Sequence, residues 1–147
     1  MPHRAYKALT ILHTKCKERI RVDTQKQTPR GKKLAELIAT FAINKKAEFV
    51  ALMELTGATG IADWFVICQG GNAPHNRAIA EEIIDGLKKH SVRPWHSEGL
   101  NDSRWVLVDY SDVVVHVMVP DLREYYALEE LWPESVTIVY NGEESDE

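Results

Sequence analysis

The sequence has little cysteine and no long apolar run. Its two cysteines, Cys16 and Cys68, form no CxxC pair, so the pattern excludes a zinc ribbon, a dithiol redox centre and a disulfide scaffold. No apolar stretch approaches the ~18 to 20 residues that span a bilayer, and the N-terminus lacks the apolar core of a signal peptide. We therefore expect a soluble, unexported protein of the cytoplasm that contacts no membrane.

Glycine and proline are also scarce, at 8 and 6 of 147 residues, while hydrophobic residues make up 44%. This balance excludes collagen-like and low-complexity chains and is typical of globular proteins. The length suits one compact domain and is too short for two full domains.

Sequence motifs of catalysis are missing as well. The loop QGGNAP precedes a predicted helix, but it has neither the GxGxxG spacing nor the GK[ST] ending of nucleotide-binding loops. Asn72 as a helix N-cap, with Pro74 in the first turn, explains this loop without a ligand. The candidate metal ligands stand at no recognised spacing: His75, His90, His96, His116, Glu98, Asp109 and Asp112. The sequence thus predicts no catalytic residue, no metal and no cofactor.

Charge divides the chain into a basic extension and an acidic body. Residues 1 to 30 carry eight Lys or Arg and two acids, a net charge of +6, while the remainder carries 10 basic and 20 acidic residues, or −10. The extension suits weak contact with rRNA phosphates, but it has no RNA-binding motif, so a solvated leader is the favoured alternative. Its composition also matches a transit peptide. The acidic body suits a basic protein partner.

Hydrophobic periodicity predicts helices interspersed among strands. The predicted helices span residues 31 to 46, 75 to 90 and 122 to 132, and the predicted strands span residues 48 to 55, 64 to 68, 93 to 99, 105 to 109, 113 to 119 and 136 to 140. Thr56, Gly57 and Gly60 predict a turn. Pro94 favours a sheet edge, and Pro133 is expected to end the third helix. We predict an α/β single domain over residues 31–140, with a mixed sheet flanked by helices, between the extension of residues 1–30 and an acidic tail of residues 141–147.

The strand pair over residues 105 to 119 is apolar on both faces. Period 2 puts Trp105, Leu107 and Asp109 on one face and Val106, Val108 and Tyr110 on the other. Two interpretations stay open: helices cover one face while a partner covers the other, with Trp105 and Leu107 as anchors, or the strand is buried on both faces inside one domain.

These residues also resemble a known family. WxLxDYxDVVVHVM followed by LREYYALEELW closely resembles the ribosomal silencing factor family, RsfS, also called Iojap. The resemblance covers about residues 31 to 133 and includes the segments LAELIATFAINKKAE, VALMELTGATGIADWFVICQGG, APHNRAIAEEI and WHSEG.

The resemblance implies a fold similar to nucleotidyltransferases and a non-enzymatic translational repressor that often forms homodimers. Such a protein binds the large ribosomal subunit through the ribosomal protein that is fourteenth in the universal naming. It blocks joining with the small subunit when nutrients are short. The implied partner-binding residues are Trp105, Leu107, Asp109, Tyr110, Asp112 and His116, with Glu98 and Gly99 before them; Arg123, Tyr125, Tyr126 and Glu129 are implied as supporting positions.

Departures from the family pattern occur at three positions. Ser111 replaces the usual Gly of a DYGDV turn, and Ala62 and Trp64 replace Thr and Tyr. Because Gly adopts positive φ at low cost and Ser does not, Ser111 is expected to alter the turn.

The alternative function is a nucleotidyltransferase-like enzyme that binds a nucleotide or metal, but that chemistry needs paired carboxylates around Mg²⁺, and Glu81 and Glu82 point apart on a helix.

Overall fold

The structure, a computed structural model, describes residues 28–55 and 62–142. The predictions made for residues 1–27, for the turn at Thr56, Gly57 and Gly60, and for residues 143–147 lie outside this part of the chain. Within it, the helices are α1 (Gly31–Asn44), α2 (Ala73–Lys88) and α3 (Pro120–Tyr126). The strands are β1 (Phe49–Glu54), β2 (Trp64–Gln69), β3 (His96–Glu98), β4 (Trp105–Asp109), β5 (Val113–Met118) and β6 (Val136–Asn141), and 3-10 turns occupy Leu128–Glu130 and Pro133–Ser135.

The strands form one six-stranded sheet in the order β3-β4-β5-β2-β1-β6. β2 and β5 run parallel, and every other neighbouring pair is antiparallel. The predicted mixed sheet is therefore confirmed. β3 begins two residues after Pro94 and lies at a sheet edge, in agreement with the prediction.

Helices α1 and α2 cover one face of the sheet, which we call the helical face. The buried side chains Leu34, Ile38 and Ala42 recur every four residues along α1 and pack on the valines of β2, β4 and β5. A Cβ at Gly86 of α2 would lie 2.6 Å from the Phe41 ring of α1, so any larger residue here would have to displace that ring.

The opposite face, which we call the second face, is covered by a thinner layer. Its buried residues include Phe49, Ile67, Trp105, Leu107 and Met118, and the covering groups come from α3 and the 3-10 turns. Each large apolar side chain that is buried on either face stabilises the folded state by about 1.5 to 3 kcal/mol. The sheet between the two faces is therefore the centre of the core.

The third predicted helix, over residues 122 to 132, is wrong in its extent. α3 begins at Pro120 and ends at Tyr126, because Ala127 adopts a left-handed conformation with φ 43° and ψ 56°. This turn redirects the chain so that Leu128 enters the core with 1% of its surface exposed. Core burial of Leu128 thus overrides the helical pattern of the segment.

The start of α2 agrees with the prediction from its loop. The Asn72 side chain accepts a hydrogen bond from the backbone N of His75 at 2.9 Å, and Pro74 lies in the first turn.

No helix in the described parts of the chain is long and apolar enough to cross a membrane.

Candidate partner-binding site

The sheet brings five of the seven predicted contact residues onto its second face. Residues directly opposite each other in neighbouring strands share a face, and Glu98 lies opposite Leu107, which lies opposite His116. Alternation along β4 adds Trp105 and Asp109. The predicted division of β4 is confirmed, since Val106, Val108 and Tyr110 lie on the helical face.

Most of these residues are covered by the rest of the domain. Trp105, at 7% exposure, Leu107, Asp109, Tyr110 and His116 are all buried, whereas Glu98 and Asp112 are half-buried. Of the two interpretations of the strand pair, the structure has β4 buried on both faces. A direct contact of these side chains with a partner stays a prediction, and so does the whole set of contact residues.

Trp105 and His116 form the polar centre of the second face. Trp105 Nε1 donates to His116 Nδ1 at 3.1 Å, and the His116 ring packs edge-on against Phe65 with ring centroids 4.7 Å apart. Accepting at Nδ1 requires the neutral tautomer with hydrogen on Nε2. Burial lowers the pKa of His116 to about 3, because desolvation penalises the charged imidazolium. His116 is therefore an uncharged positioning group for the indole ring.

The turn between β4 and β5 keeps a left-handed residue despite its serine. Ser111 adopts φ 86°, and its backbone N donates to Asp109 Oδ1 at 2.8 Å. We expected Ser111 to alter the conformation of the turn. Instead, Ser111 takes up a positive φ, the region in which Gly is favoured, and is strained there. The Asp109 carboxylate holds the turn in place.

Asp112 connects that turn to α1. Its Oδ2 accepts from the backbone N of Gly31 at 2.8 Å, while Arg30, at the N-cap position, makes no side-chain cap. The backbone oxygen of Asp112 accepts hydrogen bonds from the backbone N atoms of Asp63 and Trp64 at 3.0 and 3.1 Å. Burial, and then the nearby Asp112 charge, raise the pKa of Asp63. Asp112 thus caps α1 from a turn that lies 81 residues further along the chain.

Tyr110 is separated from the other predicted contact residues, because it points into the helical face. Burial raises the pKa of its hydroxyl well above the ordinary value, and that hydroxyl has no hydrogen-bond partner in the described part of the chain. Its position indicates a core role rather than membership of the second face.

Two polar side chains hold loops in place, and sequence reasoning gave neither of them this role. Asn76, fully buried, donates from Nδ2 to the Ser103 carbonyl at 2.9 Å. His75, considered above as a metal ligand, bonds the backbone of Lys45 and Gly71 through its two ring nitrogens at 2.8 and 3.0 Å. The polar residue in the buried stripe of α2 was the only signal for Asn76.

The candidate metal ligands do not converge. Within residues 28–55 and 62–142, no three His, Cys, Asp or Glu side chains are grouped so that they could hold a metal ion. His96 pairs instead with Glu98, with Nε2 and Oε2 2.7 Å apart. The described geometry offers a packed second face with an acidic edge.

Comparison with known proteins decides the family. The model of the family described as ribosomal silencing factor during starvation, RsfS, matches residues 6–147. The chain belongs to the RsfS family. The match is wider than the expected residues 31 to 133 and takes in most of the basic extension and the acidic tail. Membership supports a ribosome-associated silencing role.

Relatives in several bacteria carry the same name. The ribosomal silencing factor RsfS of Bacillus subtilis is 40% identical over 101 residues, covering 69% of this chain and 86% of the relative. That of Halalkalibacterium halodurans is 38% identical over 112 residues, covering 76% and 96%. A mouse protein named mitochondrial assembly of ribosomal large subunit protein 1 is 27% identical over 100 residues, covering 66% and 44%. The first two names describe silencing of the ribosome, and the third describes assembly of its large subunit.

Crystal structures agree with the fold. A protein from Chromobacterium violaceum superposes with a TM-score of 0.69 at 30% identity, covering 71% of this chain and 88% of its own. One from Bacillus halodurans gives 0.62 at 36% identity, covering 73% and 96%. The mixed α/β sheet of this chain is thus the fold of its RsfS relatives.

Proposed function

We propose that this protein is a translational repressor of the cytoplasm. It binds the large ribosomal subunit through ribosomal protein fourteen, on the face that meets the small subunit, and blocks subunit joining when nutrients are short. The observation that carries the proposal is the family match over nearly the whole chain. The protein acts by occupying a surface, as a regulator rather than an enzyme, and needs no cofactor.

The charge of the domain supports a basic protein as the partner. The chain after residue 30 has a net charge of −10, and the half-buried acids Glu98 and Asp112 border the second face and its turn. Acidic groups at the edge of a contact speed association with a basic protein and select against acidic ones. A surface of this sign is unsuited to direct contact with nucleic acid.

The predicted contact residues have different parts in this proposal. Glu98 and Asp112 meet the partner at the rim, and Trp105, Leu107 and His116 form the second face on which it docks. Asp109 and Tyr110 hold the turn and the core behind that face. The basic extension adds weak rRNA contact, and free protein forms homodimers.

Sedimentation of purified ribosomal subunits tests the proposal. Large subunits are incubated with saturating protein, small subunits are added, and joined ribosomes are separated on a sucrose gradient. We expect the joined fraction to fall and the protein to sediment with the large subunit. An undiminished joined fraction despite bound protein would reject the block of joining.

A charge-reversal pair tests the location of the contact. Glu98→Lys puts a positive charge at the rim of the second face, so it should weaken binding by about 10-fold through repulsion of a basic partner. Glu36→Lys makes the same change on an exposed position of α1, across the sheet, and should leave affinity within about twofold. Equal effects of the two variants would place the contact elsewhere.

A further inference from the structure

Helix α3 lies across a single row of the second face. Trp105, Met118, Gln69 and Phe49 stand opposite one another on β4, β5, β2 and β1. Tyr126 at one end of α3 packs on Trp105, with ring centroids 5.1 Å apart. In the middle of α3, the Arg123 guanidinium lies 3.5 Å above the centre of the Phe49 ring. The helix thus covers a row that crosses four strands.

The attachment of α3 is thin compared with that of the other helices. None of its side chains is fully buried, whereas α1 and α2 each bury at least five. Arg123 provides its polar tether: Nε bonds Glu129 Oε2 at 2.9 Å, and Nη1 bonds Gln69 Oε1 at 2.7 Å. Elements with few buried apolar contacts open at a lower free energy than the core around them.

Fixed points stand on both sides of the helix. The Val119 backbone N, just before α3, donates to the Arg104 carbonyl at 3.0 Å. Ala127, just after it, adopts φ 43°, and the next residue, Leu128, is buried in the second-face core. Rotation at Val119 and Ala127 would therefore move α3 and leave Leu128 in the core.

We propose that α3 is a lid over a concealed interaction surface. When it opens, Trp105, Met118 and Phe49 become accessible while the sheet and Leu128 stay in place. The identity of the partner rests on the proposed function, but the motion of the lid does not. The lid reconciles the burial of Trp105 with a partner that docks on the second face.

Arg123 itself indicates the chemistry of the occupant. In the closed state a guanidinium stacks on Phe49 and pairs with Glu129, whose Oε1 has no hydrogen-bond partner in the described part of the chain. Once the lid leaves, the same ring, carboxylate and Gln69 amide oxygen fit an arginine of the partner. The occupant we infer is an arginine-bearing apolar segment of the basic ribosomal protein, which replaces Arg123.

Thiol labelling tests the motion of the lid without any ribosome. In a Cys16→Ser, Met118→Cys protein, the introduced thiol lies under α3, and Cys68 lies buried on the helical face as an internal reference. Burial raises the pKa of Cys68 to about 12, which keeps it unreactive in the folded state. We expect the introduced thiol to react with a soluble disulfide reagent at least ~10-fold faster than Cys68. Equal rates would mean that only global unfolding exposes the row, which overturns the lid.

Loosening the tether should change one rate alone. Arg123→Gln, added to the same background, should speed labelling of the introduced thiol by about 10-fold and leave Cys68 unchanged. Arg77→Gln removes an exposed arginine paired with Glu81 on α2 and is the matched control, with no change expected. Amide exchange of unmodified protein checks the same motion: amides of α3 should exchange faster than those of β4 and β5, and equal protection would overturn the lid.

Binding to purified large subunits tests the occupant. Arg123→Gln should bind up to about 10-fold more tightly, because the lid no longer competes. Glu129→Gln also releases the lid but removes the carboxylate for the partner's arginine, so it should bind more weakly than Arg123→Gln. Weaker binding of Arg123→Gln than of unmodified protein would overturn the replacement of Arg123. Fast labelling without any binding to large subunits would support the lid and reject the proposed function instead.

Discussion

At the scale of single residues, Trp105 shows why a large aromatic side chain is ambiguous in a sequence. It lies in an apolar strand with one acidic residue, Asp109, four positions ahead, a pattern that suits both an interface anchor and a core residue. The decision comes from α3, whose Tyr126 covers the indole. A contact between residues so far apart in the chain has no signature in the periodicity of β4.

We expect Trp105→Ala to lower the free energy of unfolding by about 3 to 5 kcal/mol, the cost of truncating a buried Trp. Urea denaturation measures this value. Tyr125→Ala is the control, since Tyr125 is 78% exposed and should change stability by less than about 0.5 kcal/mol. Equal stability of Trp105→Ala and the unmodified protein would show that the indole lies on the surface in solution.

His116 should give the protein a distinct acid sensitivity. Its pKa falls from 6.5 to about 3 on folding, so between these pH values the unfolded chain binds a proton that the folded chain does not. The contribution of neutral His116 to the free energy of unfolding is fully present above about pH 6.5. It is lost as the pH falls toward 3, by up to about 1.4 kcal/mol per pH unit. Unfolding free energies of the protein and of His116→Gln, measured from pH 4 to 7, should diverge as the pH rises. Parallel curves would contradict a buried neutral imidazole.

At the scale of elements, the turn between β4 and β5 shows strain at a serine with positive φ. Ser111→Gly and Ser111→Ala both remove the hydroxyl, but only glycine relaxes φ 86°. We therefore expect the Gly variant to be more stable than the Ala variant by about 1 kcal/mol in thermal or urea unfolding. If the Ala variant were the more stable one, the entropy of glycine in the unfolded chain would outweigh the strain.

The elements also show what sequence reasoning can reach. α1 and α2 were predictable because period 3.6 is uninterrupted in each, the central strands because they are continuous apolar, β-prone runs, and the Asn72 cap because it is a local signal. The extent of α3 was not predictable, since the break at Ala127 exists to bury Leu128 against strands far away in the chain. The cap of α1 by Asp112 spans 81 residues and likewise leaves no local pattern. In each case the prediction failed because a tertiary contact overrides or supplements the local preference of the segment.

The candidate site shows the same division. The shared face of Trp105, Leu107 and Asp109 followed from alternation along β4, whereas the rows that add Glu98 and His116 depend on strand order and register. Strand order is a property of the whole sheet, because β2 pairs in parallel with β5 across an intervening helix and two strands. The resemblance to a family supplied these residues before the geometry did.

At the scale of the whole molecule, charge is divided between a basic extension and an acidic domain. The first residue of α1, Gly31, bonds Asp112 in the turn between β4 and β5, so the extension joins the domain beside the proposed contact. This arrangement allows two kinds of contact with a ribosome: acidic groups on a basic protein and basic groups on rRNA phosphates. The family match begins at residue 6, so the extension is part of the family pattern.

Deletion of residues 1 to 27 separates the two contacts. The truncated chain keeps Gly31 and its cap, so we expect it to fold and to retain large-subunit affinity within about threefold at physiological salt. The slope of log affinity against log salt should fall only slightly, because each lost phosphate contact would lower it by about 0.7 to 0.9. Titration of large subunits at several salt concentrations measures both quantities. A loss of most affinity together with a large fall in slope would show that the extension, and not the acidic domain, holds the protein on the ribosome.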